Sequence, residues 1–351
     1  MMNSRTNPSR RKFGAHIATG SALAVAGGLI GMPAIAQGRR KITFLLDIGA
    51  YGKHAMFYPG IDRGFFKEAG FDVSVEAAKG SADNAIKVAA GSADFGFCDT
   101  PTSILARGNG ANVKQILMVH YKAMNNVVTL ASNPVVHPRD MMGKSFGATA
   151  GDAPRVALPA LAKMNNFDAQ KVEIVTIEGS AKPAVLMAKK ATGILGLSAF
   201  APVYAAAAEK TGEKIVQMLF SDFGLDLYSN GIIASDALIA KDPGMVRAFN
   251  QAMVQSIIYA CDNRDEATQM FVKHHPLANP KIARAQLDVA VDHLLVDEVK
   301  ADGVGPMSQK KMAFTLDIVR EFYGLKGNVR VEEIYSNDFV KPNQRPTRSR
   351  A

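Results

Sequence analysis

The sequence predicts an α/β protein of two lobes, each a largely parallel sheet flanked by helices, joined at a hinge around a central cleft. Three observations carry this expectation. Short β-rich runs alternate with helical patterns from Ile42 onward, which is the rhythm of βαβ units. The rhythm starts again after Tyr121. From Ile232-Ile233 to Tyr323 the chain becomes mostly helical.

Taken in order, Ile42 to Asp47 reads as a buried strand, followed by a helical stretch ending near Phe65 to Gly70. Phe71 to Ala77 is a second strand. Ser81 to Ala90 is a helix with Ala85, Ile86 and Ala89 on its apolar face and Gly91 as its stop. Phe95 to Cys98 is a strand, Thr100 to Arg107 the next helix, and Lys114 to Tyr121 another strand. The second series runs through strands at Val127–Ala131, Ser145–Ala148, Val172–Ile177 and Ile194–Leu197. Between them lie helices at 152–165 and Ala181–Lys190, and an alanine-rich helix follows from Pro202 to Glu209. No strict sequence repeat accompanies this double rhythm.

The N-terminus reads as an address. Arg10-Arg11 precede a weakly apolar stretch, Ala15 to Ile30, too short for the ~20 residues of a membrane span. A small-residue cleavage pattern ends at Ala36, before Gln37. Residues 1–36 are therefore expected to be a twin-arginine signal peptide for the Tat route, directing the chain to the periplasm. Removing them from 351 residues leaves 315, enough for two domains. Arg5, Arg10, Arg11 and Lys12 carry four of the nine net positive charges, so the mature chain stands near +5. No Lys/Arg block is dense enough to suggest nucleic acid. The sparse basic tail, 343–351, reads as disordered. Cys98 and Cys261 lack a Cys-x-x-Cys spacing, and Cys261 lies on an apolar helical stripe with Val254, Ile257 and Ile258.

In open α/β sheets, ligands bind outside the carboxyl ends of the strands. Five such edges carry small or hydroxylated residues: the segment after Asp47, Gly80-Ser81-Ala82, Asp99-Thr100-Pro101-Thr102, Gly151-Asp152-Ala153-Pro154 and Ser198-Ala199-Phe200. Each alone reads more readily as a helix N-cap; the repetition across both halves points to a site. Catalytic patterns are missing. Gly196-Leu197-Ser198-Ala199-Phe200 lacks the closing glycine of a nucleophile elbow. Gly143-Lys144-Ser145 lacks the leading glycine of a phosphate loop, with Pro138 in its place. His274-His275-Pro276 has no third metal ligand in spacing. No cofactor, metal or catalytic residue is expected.

Several blocks together resemble the bacterial solute-binding proteins of the thiamine-pyrimidine, sulfonate and nitrate group, over nearly all of residues 41–342. In the opening segment, Leu46 to Tyr58, Asp47, His54 and Tyr58 match the pyrimidine binders. Gly64-Phe65-Phe66-Lys67-Glu68-Ala69-Gly70-Phe71-Asp72-Val73 resembles the family's next run. Gly80-Ser81-Ala82-Asp83, Ala90 to Gly96, Tyr228 to Ile233 and Ile334 to Phe339 follow in the family's order. Ile48 stands where pyrimidine binders carry a stacking Trp, with Tyr51 nearby as an alternative ring.

The resemblance implies a type II-like periplasmic binding protein fold. Lobe I would hold 41–123 and 234–342, and lobe II 124–233, with crossovers near Ala123-Met124 and Ile233-Ala234. It implies a monomer that captures a small organic molecule, a planar heterocycle, aromatic acid or sulfonate-like compound, and delivers it to an ABC permease without making or breaking bonds. The expected ligand-binding residues are Asp47, Tyr51, Lys53, His54, Tyr58, Ser81, Cys98, Asp99, Thr100 and Tyr228, with Gly151, Asp152, Ala153 and Phe200 from the opposing lobe. The alternatives are a pyrimidine-synthesis enzyme on the same fold, or a ligand-sensing partner of a membrane receptor.

Overall fold

The computed structural model describes residues 38–347; the expected leader, 1–36, and the last residues of the tail, 348–351, lie outside the described residues. Two five-stranded sheets organise the chain. The first begins with β1 (Arg40–Leu46), followed by a 3-10 turn, Gly52–Phe57, and two short helices, α1 (Pro59–Asp62) and α2 (Phe65–Glu68). Then come β2 (Phe71–Ala77), α3 (Ser81–Ala89), β3 (Phe95–Asp99), α4 (Thr100–Gly108) and β4 (Val113–Met118).

The chain then builds the second sheet with β5 (Asn125–Leu130), β6 (Ser145–Ala148), α5 (Ala153–Met164), β7 (Glu173–Thr176), α6 (Lys182–Met187), β8 (Gly193–Leu197), α7 (Ala201–Glu209) and β9 (Ile215–Leu219). It returns to the first sheet as β10 (Asn230–Ser235). The helical remainder is α8 (Asp236–Lys241), α9 (Pro243–Asp262), α10 (Arg264–His274), α11 (Pro280–Leu294), α12 (Asp297–Asp302), α13 (Gln309–Phe322) and α14 (Val331–Ile334).

The strand orders are β2-β1-β3-β10-β4 and β7-β6-β8-β5-β9. The two orders are equivalent. In each, a parallel set is interrupted by one antiparallel strand that follows a crossover: β10 runs against β3 and β4, and β5 against β8 and β9. Each sheet is thus mixed: four strands run one way, as the alternation of elements predicts, and the fifth runs against them.

Particular expectations give way. Ile233-Ala234, expected to be a crossover, lies inside β10, where Ile233 pairs with Gly96 of β3; the chain crosses earlier, between β9 and Asn230. β9 itself escapes a reading by periodicity, because its burial does not alternate. On α3, Ile86 is 60% exposed while Asn84 is fully buried. The Asn84 amide donates to the carbonyls of Leu45, Leu46 and Phe97 at 3.0–3.2 Å, tying the carboxyl ends of β1 and β3 to the helix. Residues 343–347 of the expected disordered tail are held: Asn343 N–H donates to Asp302 O, and Thr347 Oγ1 to Asp262 Oδ2 at 2.7 Å. Cys98 and Cys261 are both free and buried, and burial pushes the Cys261 thiol up to about 12.

Two helices stitch the sheets together. On one side α11 packs on the Gly52–Phe57 turn and on α7. On the other, α13 packs on both α4 and α5, and Ile318 belongs to the second sheet's core.

Candidate functional site

The loop after β1 carries a buried polar cluster. Asp47 is 5% exposed, Lys53 1% and His54 0%. Lys53 Nζ lies 2.6 Å from Asp47 Oδ2 and His54 Nε2 2.8 Å from Oδ1, while Asn230 Nδ2 reaches Oδ2 at 3.0 Å. The local fold explains the geometry. Tyr51, extended, starts the 3-10 turn, and its N–H donates to His54 Nδ1 at 3.1 Å. That bond makes Nδ1 an acceptor, so Nε2 carries the proton given to Asp47. Burial holds the His54 pKa down to about 4, outweighing the Asp47 carboxylate. Burial alone would raise Asp47, but Lys53 and the two hydrogen bonds hold it well below the usual carboxylate range. Gly52 is required: its N–H donates to Gln286 Oε1 at 2.9 Å, and a Cβ there would collide with the Ala283 backbone of α11.

At the end of β3, Asp99 caps α4, accepting from Thr102 N–H at 3.1 Å and Thr102 Oγ1 at 2.7 Å. Burial raises its pKa. Ser81 Oγ accepts from the Asp99 N–H at 3.1 Å. Thr100 Oγ1 donates to Ser229 O at 2.6 Å, fastening α4 to the returning crossover. In the second lobe, Gly151 is exposed at φ +78°, and Asp152 accepts from Thr149 N–H at 2.6 Å. Lys182 Nζ meets Asp152 Oδ2 at 2.5 Å, just before Ala153 opens α5.

Tyr51 and Phe200 meet across the lobes, with ring centroids 4.9 Å apart at 83°. The carboxyl ends of both sheets therefore converge. A second link joins the same corner: Ser198 Oγ and His293 Nε2 are 2.8 Å apart. The other ring nitrogen of His293 lies 3.0 Å from Lys122 O, so it carries the proton and Nε2 accepts from Ser198. Replacing Ser198 with alanine is expected to lower stability by about 1 kcal/mol and leave the fold intact, read by urea unfolding and circular dichroism. A loss too small to measure would mean that the hydroxyl bonds water equally well.

Three expected site residues go elsewhere. Tyr58 is 2% exposed, its ring edge-on to Phe271 at 5.4 Å and its hydroxyl bonded to His275 Nε2; it is core behind the loop. Cys98, expected to face the cleft, points to the opposite face of β3, where its Sγ bonds Ser81 O at 3.3 Å among Ala85, Val88 and Ile233. Burial raises its pKa, so the thiol stays protonated. Tyr228 is fully buried, with its hydroxyl bonded to Glu298 and accepting from Ser308 N–H at 2.7 Å.

The sequence reading missed Asn230, Lys182 and His293 as partners of this region. Ser198 was legible as part of a strand edge; His293, 95 residues away on α11, was not. Cavities lie along α11, one of them at the Ser198–His293 link. One of about 300 Å³ is lined by Lys122, Ser198, Gln217, Asp222 and His293. Two others, about 1030 and 610 Å³, share Val203, Asn279 and Ile282 and follow the seam between α7 and α11. Tyr51 borders the smaller of them. Among the described residues no three His, Cys, Asp or Glu side chains converge as a metal set.

The sequence pattern of the NMT1/THI5-like family matches residues 52–267. The chain is similar to a formylaminopyrimidine-binding protein of Halalkalibacterium halodurans, 23% identical over 241 residues, spanning 68% of this chain and 72% of that protein. It is similar to a riboflavin-binding protein of Chloroflexus aurantiacus, 24% identical over 245 residues, 68% and 67% of the two chains. It is also similar to a 4-amino-5-hydroxymethyl-2-methylpyrimidine phosphate synthase of Aspergillus parasiticus, 24% identical over 253 residues, 70% and 73%. Among solved structures, the periplasmic aliphatic sulphonate binding protein of Escherichia coli superposes with a TM-score of 0.67 at 13% identity, covering 89% of this chain and 96% of that one. That likeness is one of fold.

Proposed function

Because the chain belongs to the NMT1/THI5-like family, we propose that it is a periplasmic solute-binding protein that captures a small organic molecule and hands it to an ABC importer. One observation carries this reading: Tyr51, after β1, touches Phe200, after β8, so the strand ends of both lobes meet in one cleft. That is where an open α/β sheet presents ligand contacts. Export through the twin-arginine leader, a monomeric state and docking on a permease complete the proposal. Closure of the lobes would bury the ligand between the two strand-end surfaces.

Binding rather than catalysis is the reading the side chains favour. Both cysteines are buried, and the described Ser–His pair has a backbone carbonyl where a nucleophile constellation places an orienting acid. Similarity to a synthase supplies the competing reading.

A thermal-shift screen of heterocycles, aromatic acids and sulfonates tests the proposal, since a ligand stabilises the state it binds. For the compound found, Tyr51→Ala is expected to weaken binding by roughly 1–3 kcal/mol in calorimetry. Unchanged affinity with an intact fold would move the site away from this loop, and turnover of the compound would replace binding by catalysis.

A further inference from the structure

His293 sits where the chain passes from one sheet to the other. β4 ends at Met118 and β5 begins at Asn125. On this crossover the N–H groups of Tyr121 and Lys122 both donate to His293 O, at 3.0 and 3.2 Å. His293 Nδ1–H donates back to Lys122 O at 3.0 Å. Three bonds therefore fix the residue from the crossover. A fourth leaves for the other lobe: Nε2 accepts from Ser198 Oγ at 2.8 Å. Ser198, just after β8, donates its own N–H to Met124 O at 2.8 Å. These bonds close a ring from Lys122 through His293 and Ser198 to Met124, and the side left over is the single residue Ala123. A hinge between the sheets works by turning the backbone of such a residue. Turning it opens the ring most readily at its one bond between two side chains, Ser198 to His293.

The surroundings suit a bond that breaks and re-forms. Ser198 is 3% exposed and His293 5%, yet both line the cavity of about 300 Å³. Water entering there can take over each partner when they separate, so neither is left unsatisfied. The other fastening nearby is weaker. Lys122 Nζ lies 2.6 Å from Asp222, on the way back to β10, but solvent reaches both ends of that pair. Along α11 the same constraint reaches the candidate ligand loop. Gln286, about two turns before His293, accepts from the N–H of Gly52, the neighbour of Tyr51, at 2.9 Å.

We propose that His293 and Ser198 form a latch across the hinge, which biases the free protein toward the closed arrangement and, through α11, ties that bias to the Tyr51 loop. His293 acts here as a positioning residue: it sets the angle between the lobes. The latch sets the fraction of free protein that is already closed, and with it the apparent affinity for a ligand. That effect on affinity rests on the solute-binding function proposed above; the latch itself concerns the lobes alone.

Spin labels on the mature protein test it without any ligand. Lys210→Cys, at the end of α7, and Lys281→Cys, on α11, place one label on each wall of the seam, at exposed positions. The native Cys98 and Cys261 are buried and stay unlabelled. The parent is expected to give one dominant short distance. With Ser198→Ala added, a longer population should grow about fivefold relative to the short one, the ratio that one ordinary hydrogen bond sets. Ser198→Thr keeps the hydroxyl and should restore the parent distribution. A lower urea midpoint for Ser198→Ala with unchanged distances would mark a bond that only stabilises the fold, and overturns the latch. Equal lengthening in Ser198→Thr and Ser198→Ala also overturns it, by assigning the effect to packing. Neither result bears on whether the protein binds a solute, which the ligand screen decides.

Discussion

Replacing Lys53 with methionine is expected to destabilise the protein by about 3–5 kcal/mol, the cost of breaking a buried ion pair from one side. Methionine keeps most of the volume but removes the ammonium 2.6 Å from Asp47. The remaining Asp47 bonds, from His54, Asn230 and the Ile48 N–H, are hydrogen bonds without a full positive charge. Asp47 then stays ionised in a site that is 5% exposed, or takes up a proton at neutral pH. Either outcome costs stability. The double variant Asp47→Leu with Lys53→Met should be less damaged than Lys53→Met alone, since no charge is left stranded. Urea unfolding of the two variants decides it. A loss below 1 kcal/mol for the single variant would mean that the pair is reached by water.

Acid is expected to weaken the protein well above the range where ordinary carboxylates titrate. His54 is held to about 4 in the folded chain, against about 6.5 when unfolded. Between those values the unfolded chain binds a proton that the folded one refuses. The contribution is therefore complete above pH 6.5 and is lost as the pH falls toward 4, by an amount on the order of 3 kcal/mol for this residue. The cause is geometric as well as electrostatic: a proton on Nδ1 would face the Tyr51 N–H. His120 and His293 are depressed by burial in the same direction, so their losses add. Asp47, held low, contributes a further loss only in stronger acid. Urea midpoints at pH 7.5, 6 and 5 measure this, and His54→Gln should flatten part of the slope. A constant midpoint across that range would show that these imidazoles titrate in the folded state.

The local pattern of the sequence reveals what depends on neighbours in the chain. Phe71–Ala77 and Ser145–Ala148 are strands at the predicted bounds, the first by its alternation and both by the glycines that precede them. What depends on distant pairing stays hidden. Asn230 to Ser235 reads as the end of a lobe, yet it is the strand that joins β3 to β4. Ile86 looks like core by helical spacing, but the sheet end takes Asn84 instead, for its three hydrogen bonds. The candidate site divides in the same way. Asp47, Tyr51, Lys53 and His54 are visible together as one strand-end loop. Nothing in their spacing shows that Lys53 is already neutralised by Asp47, or that α11 reaches across to Ser198.

The position of β10 also sets an order of assembly. The second sheet uses a continuous stretch, from β5 to β9, and its strand pairs can form as soon as residue 219 has been made. The first sheet cannot: β3 and β4 leave a gap that only residues 230–235 fill. Its early strands must wait, with apolar edges unpaired, through the synthesis of about a hundred intervening residues, which is slow and aggregation-exposed topology. An N-terminal fragment ending before Asn230 would contain one lobe able to complete its sheet and one unable to. For such a chain, the proposed twin-arginine route, which carries folded proteins, has a physical rationale. Translocation would begin only after the last-made half of the molecule has closed the first.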